Sequence, residues 1–321
     1  MNKNLINQML HPPSSSDSAS SLDSYEEVHE VIAEILEIFS SLISEADLQP
    51  RKEVNDKFSN LVDLCIKPRE KCVVSAVLSD PSVQEIAPQL RELCSQGEAH
   101  LEMFWAHRII DTISGSIQGG LSNFWFCCCC LFLAEKDFLQ AFPYYNNYVD
   151  LCRLEYATLT AVSQSEPRSI AFIGSGPLPL TSFCLADRLP YAQIHNIDND
   201  SDAIELSSVL TRQLCYKNMT FSNENAYGGK PLKEFDVVYL AALVGREAEE
   251  KLRIIRDVAG RMRPGAVLCL RSAHSLRELL YPVVQPSELW NGGISLEPLV
   301  DIHPWNHIVN STLLMRVLAS G

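Results

Sequence analysis

The chain has no apolar run near the ~18 residues that a membrane-crossing helix requires. Its longest such stretch, Phe124 to Ala134, reaches roughly half that length. The opening MNKNLINQMLHPPSSS has no apolar core, so no secretory leader is expected. Positive charge is in deficit: 26 Lys and Arg stand against 40 Asp and Glu, a net charge of −14. That argues against a nucleic-acid partner, which needs a basic surface to neutralise phosphates. No Gly-x-Ser-x-Gly elbow is present, which removes the simplest hydrolase reading. The 11 cysteines are odd in number, and four are consecutive, Cys127 to Cys130. Adjacent cysteines cannot build an ordinary disulfide framework, so reduced thiols and a cytoplasmic location are expected. The cysteine run sits in an apolar segment and reads as small hydrophobes rather than zinc ligands. His303 and His307 are separated by a helix-breaking Pro304, so no metal site is expected.

The length of 321 residues suggests two domains. Residues 1–23 are rich in Ser and Pro and read as a disordered tail. Ser24-Tyr-Glu-Glu27 has the form of a capping box that starts a helix. Val28, Val31, Ile35, Phe39 and Leu42 then recur at helical spacing, as do Val54, Phe58, Leu61 and Cys65, and Leu90, Cys94, Leu101 and Trp105. Residues 24–163 are therefore expected to form an all-helical domain. From Pro167 the pattern changes. Short apolar runs at Ser169–Ile173, Gln193–Ile197, Phe235–Leu240, Ala266–Leu270 and Val309–Val317 alternate with helical stretches at Ser201–Tyr216 and Ala248–Met262. That alternation predicts an α/β unit over 164–321 with a parallel, doubly wound sheet.

The chemistry concentrates in a few places. Gly174-Ser175-Gly176 follows the first strand and precedes a helix, where glycine permits a tight turn and close ligand approach. Asp198 ends the next strand, about 20 residues on, where a carboxylate can accept from both hydroxyls of a ribose. The alternative is a shaped turn and a helix cap. Taken together the two features favour a nucleoside-type cofactor, and both dinucleotides and S-adenosylmethionine use this geography. Pro179 replaces the third glycine of a dinucleotide fingerprint, and Phe172 stands where many methyltransferases carry an acid. Glu98 lies on an apolar stripe, four after Cys94 and three before Leu101. A buried carboxylate is either paired or has work to do. Glu102, one turn on, reads as its surface-facing neighbour or its partner. Phe142-Pro-Tyr-Tyr-Asn-Asn-Tyr148 gathers three tyrosines, which read either as core aromatics or as a pocket wall that orients an amine.

That tyrosine motif, followed by Leu154-Glu155, resembles the nicotianamine synthase family. So do Ile170-Ala-Phe-Ile-Gly-Ser-Gly-Pro-Leu-Pro-Leu-Thr-Ser182, Phe235-Asp-Val-Val-Tyr-Leu-Ala-Ala-Leu-Val-Gly245 and Arg263-Pro-Gly-Ala-Val-Leu-Cys-Leu-Arg-Ser-Ala-His274. Leu280-Tyr-Pro282, His303-Pro304 and Val309-Asn-Ser311 continue the match in order. The resemblance implies a helical domain joined to a Rossmann-like S-adenosylmethionine-binding domain. It implies transfer of the aminocarboxypropyl group rather than the methyl group: three donors condense, one azetidine ring closes and three methylthioadenosines leave. The product is a metal chelator. An ordinary methyltransferase, or a related transferase with an amino-acid acceptor, remains the alternative. By resemblance Glu98, with Tyr144 or Tyr145 and less strongly Tyr148, holds the attacking amine. Gly174, Ser175, Gly176, Pro177, Asp198, Asn225 and Ala241 are expected at the donor. Arg271 is expected to pair a substrate carboxylate, with His274 and Tyr281 as further pocket residues.

Overall fold

The structure, a computed structural model, describes residues 15–118, 138–163, 165–290 and 296–319. Five helices come first: α1 (Ser15–Ile43), α2 (Lys52–Ile66), α3 (Lys71–Ser79), α4 (Pro81–Gln118) and α5 (Tyr145–Val162). The stripe read from the sequence is the one α1 buries: Val31, Ile35 and Leu42 are in the core, with Val28 and Phe39 packed against it. The helix starts at Ser15, however, so Ser24–Glu27 lies inside α1 and does not cap it. Residues 15–23 are thus part of α1, and residues 1–14 lie outside the described residues. No Pro or Gly stands between Ser14 and Ile43, so a helix nucleated by the packed stripe extends upstream residue by residue at little cost. Helix α4 begins with proline at its first position, where the missing N–H costs nothing. The Asp80 carboxylate accepts from Ser82 N at 2.9 Å just before it. The cysteine run falls outside the described residues.

The second part alternates β1 (Ser169–Ile173), α6 (Leu180–Arg188), β2 (Gln193–Asp198), α7 (Ser201–Gln213), β3 (Met219–Asn223), β4 (Val237–Leu240), α8 (Ala248–Arg261) and β5 (Val267–Ser272). A 3-10 turn (Ser275–Leu279), α9 (Pro286–Trp290), β6 (Leu296–Ile302) and β7 (Ser311–Val317) complete it. The sheet order is β3-β2-β1-β4-β5-β7-β6. The first five strands are parallel, as expected. The last two are not: β7 runs antiparallel to β5, and β6 antiparallel to β7. The wholly parallel reading is corrected there, because β6 and β7 are joined directly and not through a crossover helix. Strands β3 and β6 escape the sequence reading. The first is a half-exposed edge strand with polar residues, and the second carries Pro298 beside a bulge.

Alternation along β1 shows how the sheet is covered on both faces. Ile170 and Phe172 join one core with Ala106, Ile109 and Ile113 of α4 and Cys152 and Leu159 of α5. Ala171 and Ile173 join the opposite core with Ile254, Ile255 and Val258 of α8. A third core closes α1 to α4 on Leu276, Leu279, Leu280 and Val309. The helical part is thus seated on the sheet part in two places, with the ends of β1 and β4 between them. The strand order reverses between these two neighbours, and ligands of open α/β sheets bind in the crevice at such a point.

Candidate active site

The glycine turn leaves β1 with Gly174 at φ +79° and Gly176 at φ +67°, both left-handed. Gly174 N donates to Ile197 O at 2.8 Å. A Cβ on Gly174 would lie 2.3 Å from Val244 Cγ2. Gly174→Ala is therefore expected to cost about 1–3 kcal/mol through backbone strain and overlap. A urea titration reads it; a loss under about 0.5 kcal/mol would contradict the strain.

Asp198 ends β2 and ties the turn. Its Oδ2 accepts from Gly176 N at 2.9 Å and its Oδ1 from Asp200 N at 3.0 Å. The cap of α7 is Asp200, which accepts from Asp202 N and Ala203 N, so Asp198 does not spend itself there. Burial raises the Asp198 pKa, opposed by these backbone donors. Gly174, Ser175, Gly176, Pro177, Asp198, Asn225 and Ala241 all line one chamber of about 630 Å³. The Ser175 hydroxyl is buried there without a partner among the described residues. Asn225 Oδ1 accepts from Tyr227 N at 3.0 Å.

Glu98 forms the opposite wall. Its two oxygens are held separately: Oε1 accepts from Tyr148 Oη at 3.1 Å, and Oε2 from Tyr281 Oη at 3.0 Å. Tyr148 Oη also lies 2.7 Å from Glu102 Oε1. Burial raises the Glu98 pKa, opposed by the two tyrosines and by Arg271. Glu102 is pushed up to about 8 by burial, and then by the charges of Glu98 and Asp198. The helical repeat places Glu98 and Glu102 on one face of α4. Gly97, beside them, lets the Phe58 ring come so close that a Cβ would stand 2.5 Å from it. Glu98, Tyr148 and Tyr281 also line a second cavity of about 110 Å³, with apolar walls from Phe58, Leu101, Phe142 and Leu280. The Glu98 carboxylate thus stands between two spaces.

The remaining expected residues fall in different places. Tyr144 lines the second cavity and bonds Ser59. Tyr145 lines neither space and packs on the sheet-face core instead. The motif enters its helix at Tyr145, so the residue one turn in, Tyr148, meets Glu98. Arg271 reaches the chamber, but its bidentate edge is taken: Nε and Nη2 donate to Glu155 at 2.8 and 2.9 Å, and Nη2 to Thr181 at 2.8 Å. Arg271 is thus a chamber-lining residue whose Nε–Nη2 edge is held in a buried ion pair. His274 lines neither space. It contacts Ser311 at 3.1 Å and stacks near His303 and Trp305, where burial and His303 lower its pKa to about 4.

Two residues were given no role from sequence. Glu155 has none of its surface exposed and joins α5 to β5 through Arg271. Lys251, equally buried, donates from Nζ to the carbonyls of Ala241, Ala242 and Val244 at 3.1, 2.6 and 3.0 Å. Burial lowers its pKa to about 7, opposed by the charge of Glu250. It fixes the loop that walls the chamber beside Gly174. The chamber lining carries Glu98, Glu102, Asp198, Asp200, Glu224 and Glu250 against Arg246 and Arg271. Both arginines are already paired, Arg246 with Glu92 and Arg271 with Glu155. Glu224 is likewise paired, with Lys230, which leaves Asp198, Asp200, Glu250 and the Glu98–Glu102 pair as the excess that favours a cationic guest. Among the described residues no group of three or more His, Cys, Asp or Glu is arranged to hold a metal ion, and no helix is long and apolar enough to cross a membrane.

The fold and motifs have counterparts. A solved structure of an MtNAS mutant in complex with S-adenosylmethionine superposes with a TM-score of 0.68 at 19% identity, over 90% of this chain and 98% of that one. Another, of MtNAS in complex with MTA and tNA, gives 0.67 at 19% identity over 92% and 98%. Nicotianamine synthase 1 of Arabidopsis thaliana is 36% identical over 90% of this chain and 84% of its own length. Nicotianamine synthase of Solanum lycopersicum shows the same identity and coverage. The family model described as nicotianamine synthase protein matches residues 24–320, which takes in both the Glu98 wall and the glycine turn, and on that extent of agreement the chain belongs to the nicotianamine synthase family.

Proposed function

We propose that this chain condenses three molecules of S-adenosylmethionine into nicotianamine, releasing three methylthioadenosines. The observation that carries the reading is Glu98, buried, held by Tyr148 and Tyr281, and set between the chamber of the glycine turn and the second cavity. The family membership and the names of the relatives support it.

The donor is a sulfonium, and an acid-rich chamber suits its positive charge. Asp198, at the end of β2, is assigned to the ribose, with Gly174 to Pro177 and Ala241 as the close wall. Asn225 offers an amide at the adenine end. The acceptor amine is assigned to Glu98. An amine attacks only with its lone pair free, and a carboxylate beside it can orient it and take its proton. The lone pair forms the new C–N bond, and the C–S bond breaks with its electrons going to sulfur. The sulfide leaves neutral, so no acid need protonate it. Tyr281 and Tyr148 keep the carboxylate aimed, and Tyr144 and the apolar second cavity shape the acceptor side. Arg271 acts through Glu155 as a strut beneath the chamber.

This reading includes a helical part, 24–163, covering a sheet part, 164–321, with an active site between them. It also includes cytoplasmic residence and a part in metal homeostasis through a chelating product.

The test is which bond of the donor breaks. Chromatography of a reaction of the full chain with S-adenosylmethionine is expected to show methylthioadenosine. S-adenosylhomocysteine in its place would assign methyl transfer and overturn the reading.

A further inference from the structure

We propose that Glu102 and Tyr148 form a proton relay with Glu98, which carries to the chamber the proton that each amine transfer leaves on Glu98. The proposal rests on the reading above and adds to it a second carboxylate.

The geometry demands a shared proton. Tyr148 Oη lies 2.7 Å from Glu102 Oε1 and 3.1 Å from Glu98 Oε1. A phenol has one proton and donates to one acceptor at a time. Two ionised carboxylates cannot both be served by it. The arrangement is satisfied when one carboxyl is protonated and donates to the phenol oxygen while the phenol donates to the other. Tyr281 donates to the other oxygen of Glu98, Oε2.

The relay has a direction because its ends face different spaces. Glu98 and Tyr148 line both cavities, whereas Glu102 lines only the chamber. Glu102 Oε2 reaches the glycine turn and would lie 2.5 Å from a Cβ at Gly176. The groups that face Glu102 are Glu98 on its own helix, Tyr148 of α5, Asp198 at the end of β2, and Arg271 of β5, itself paired with Glu155. Acids outnumber the one neutralised cation, which keeps a proton on the pair near neutral pH.

The proton balance is simple. When the C–N bond forms and the C–S bond breaks, the new ammonium gives one proton to Glu98. Glu98 then donates to Tyr148 Oη as Tyr148 passes its own proton to Glu102. This restores the one-proton pair with Glu98 a carboxylate again, and Glu102 gives that proton to water in the chamber when the next cationic donor binds, which frees it to accept the next one. Glu102 acts through Tyr148 and is a positioning residue for the proton, not a catalytic one.

The test compares the full chain with its Glu102→Gln variant, by rapid-quench methylthioadenosine release from S-adenosylmethionine. Gln still accepts from Tyr148 but takes no proton. KM is expected to rise with the loss of one chamber acid, and the first transfer to fall far less than the steady rate, which drops about 10²-fold. The wild-type steady rate is expected to rise with pH to a plateau, with a midpoint at or below about 8, because a cationic donor favours ionised Glu102. Glu102→Gln is expected to lose that rise. An unchanged steady rate, or an equal fall in the first transfer, overturns the relay. Infrared spectroscopy of the resting protein decides independently of turnover. A protonated carboxyl band that titrates on the alkaline side of neutrality is expected in wild type and absent in Glu102→Gln. Its absence from wild type overturns the proposal even if the variant does not fold. A wild type that shows the band but makes no methylthioadenosine instead defeats the assigned reaction.

Discussion

Replacing Glu98 by glutamine is expected to slow methylthioadenosine release by about 10²–10⁴-fold, the range general-base catalysis contributes. Glutamine has the same length, and its oxygen still accepts from Tyr148 or Tyr281. It cannot take a proton from the amine. The donor contacts proposed above lie on the opposite wall, at the glycine turn and Asp198, so the affinity for S-adenosylmethionine should change far less than the rate. Isothermal titration with the donor, run beside single-turnover kinetics, separates the two quantities. A variant that binds the donor and keeps its rate would remove Glu98 from the chemistry. One that loses both together would make it a structural support.

The largest expected effect on stability belongs to the Glu155–Arg271 pair. Glu155 has no exposed surface and Arg271 only 5%. Two parallel hydrogen bonds of 2.8 and 2.9 Å join them, Thr181 accepts a third, and the Phe172 ring lies 5.3 Å from the guanidinium. Arg271→Met leaves a carboxylate buried with no counter-charge, a change that costs about 3–5 kcal/mol. Glu155→Leu strands the cation at a similar cost. The double variant should recover most of the loss, because an apolar pair of like volume avoids the desolvation of both ions. The exposed pair Lys52–Asp56 serves as control, with side chains 81% and 57% accessible. Breaking it should cost under about 1 kcal/mol. Urea unfolding of the four variants checks the set. Single-variant losses as small as the control's would show that the buried pair does not tie α5, α6 and β5 together.

Much of this site was legible in the sequence, for identifiable reasons. The five apolar runs became strands because a two-faced sheet needs nearly continuous hydrophobic residues. The glycine turn was legible because left-handed backbone at Gly174 and Gly176 leaves few other residue choices. Glu98 stood out as an acid on an apolar stripe. The same signal marks Glu155, one turn after Leu151 and Cys152, and Lys251, on the stripe of Ile254, Ile255 and Val258. Those two were legible but passed over. What sequence spacing does not contain is the meeting of distant elements. Tyr148 finds Glu98 only because α5 docks against α4, and Arg271 finds Glu155 only because α5 lies over β5. The same limit explains His274. Its motif ends a strand near the chamber, but the chain turns it toward Ser311 and Trp305. The edge strands β3 and β6 were missed because one-sided burial and an internal proline erase the apolar run.

The most direct test of the reaction uses S-adenosylmethionine as the sole small molecule, labelled with ¹³C in its aminocarboxypropyl carbons. Mass spectrometry then follows both products from the full chain. The account predicts nicotianamine carrying label from three donors, with three methylthioadenosines for each. Methylthioadenosine that accumulates only when an unlabelled amino acid is added, or label that never enters an amine, would contradict it.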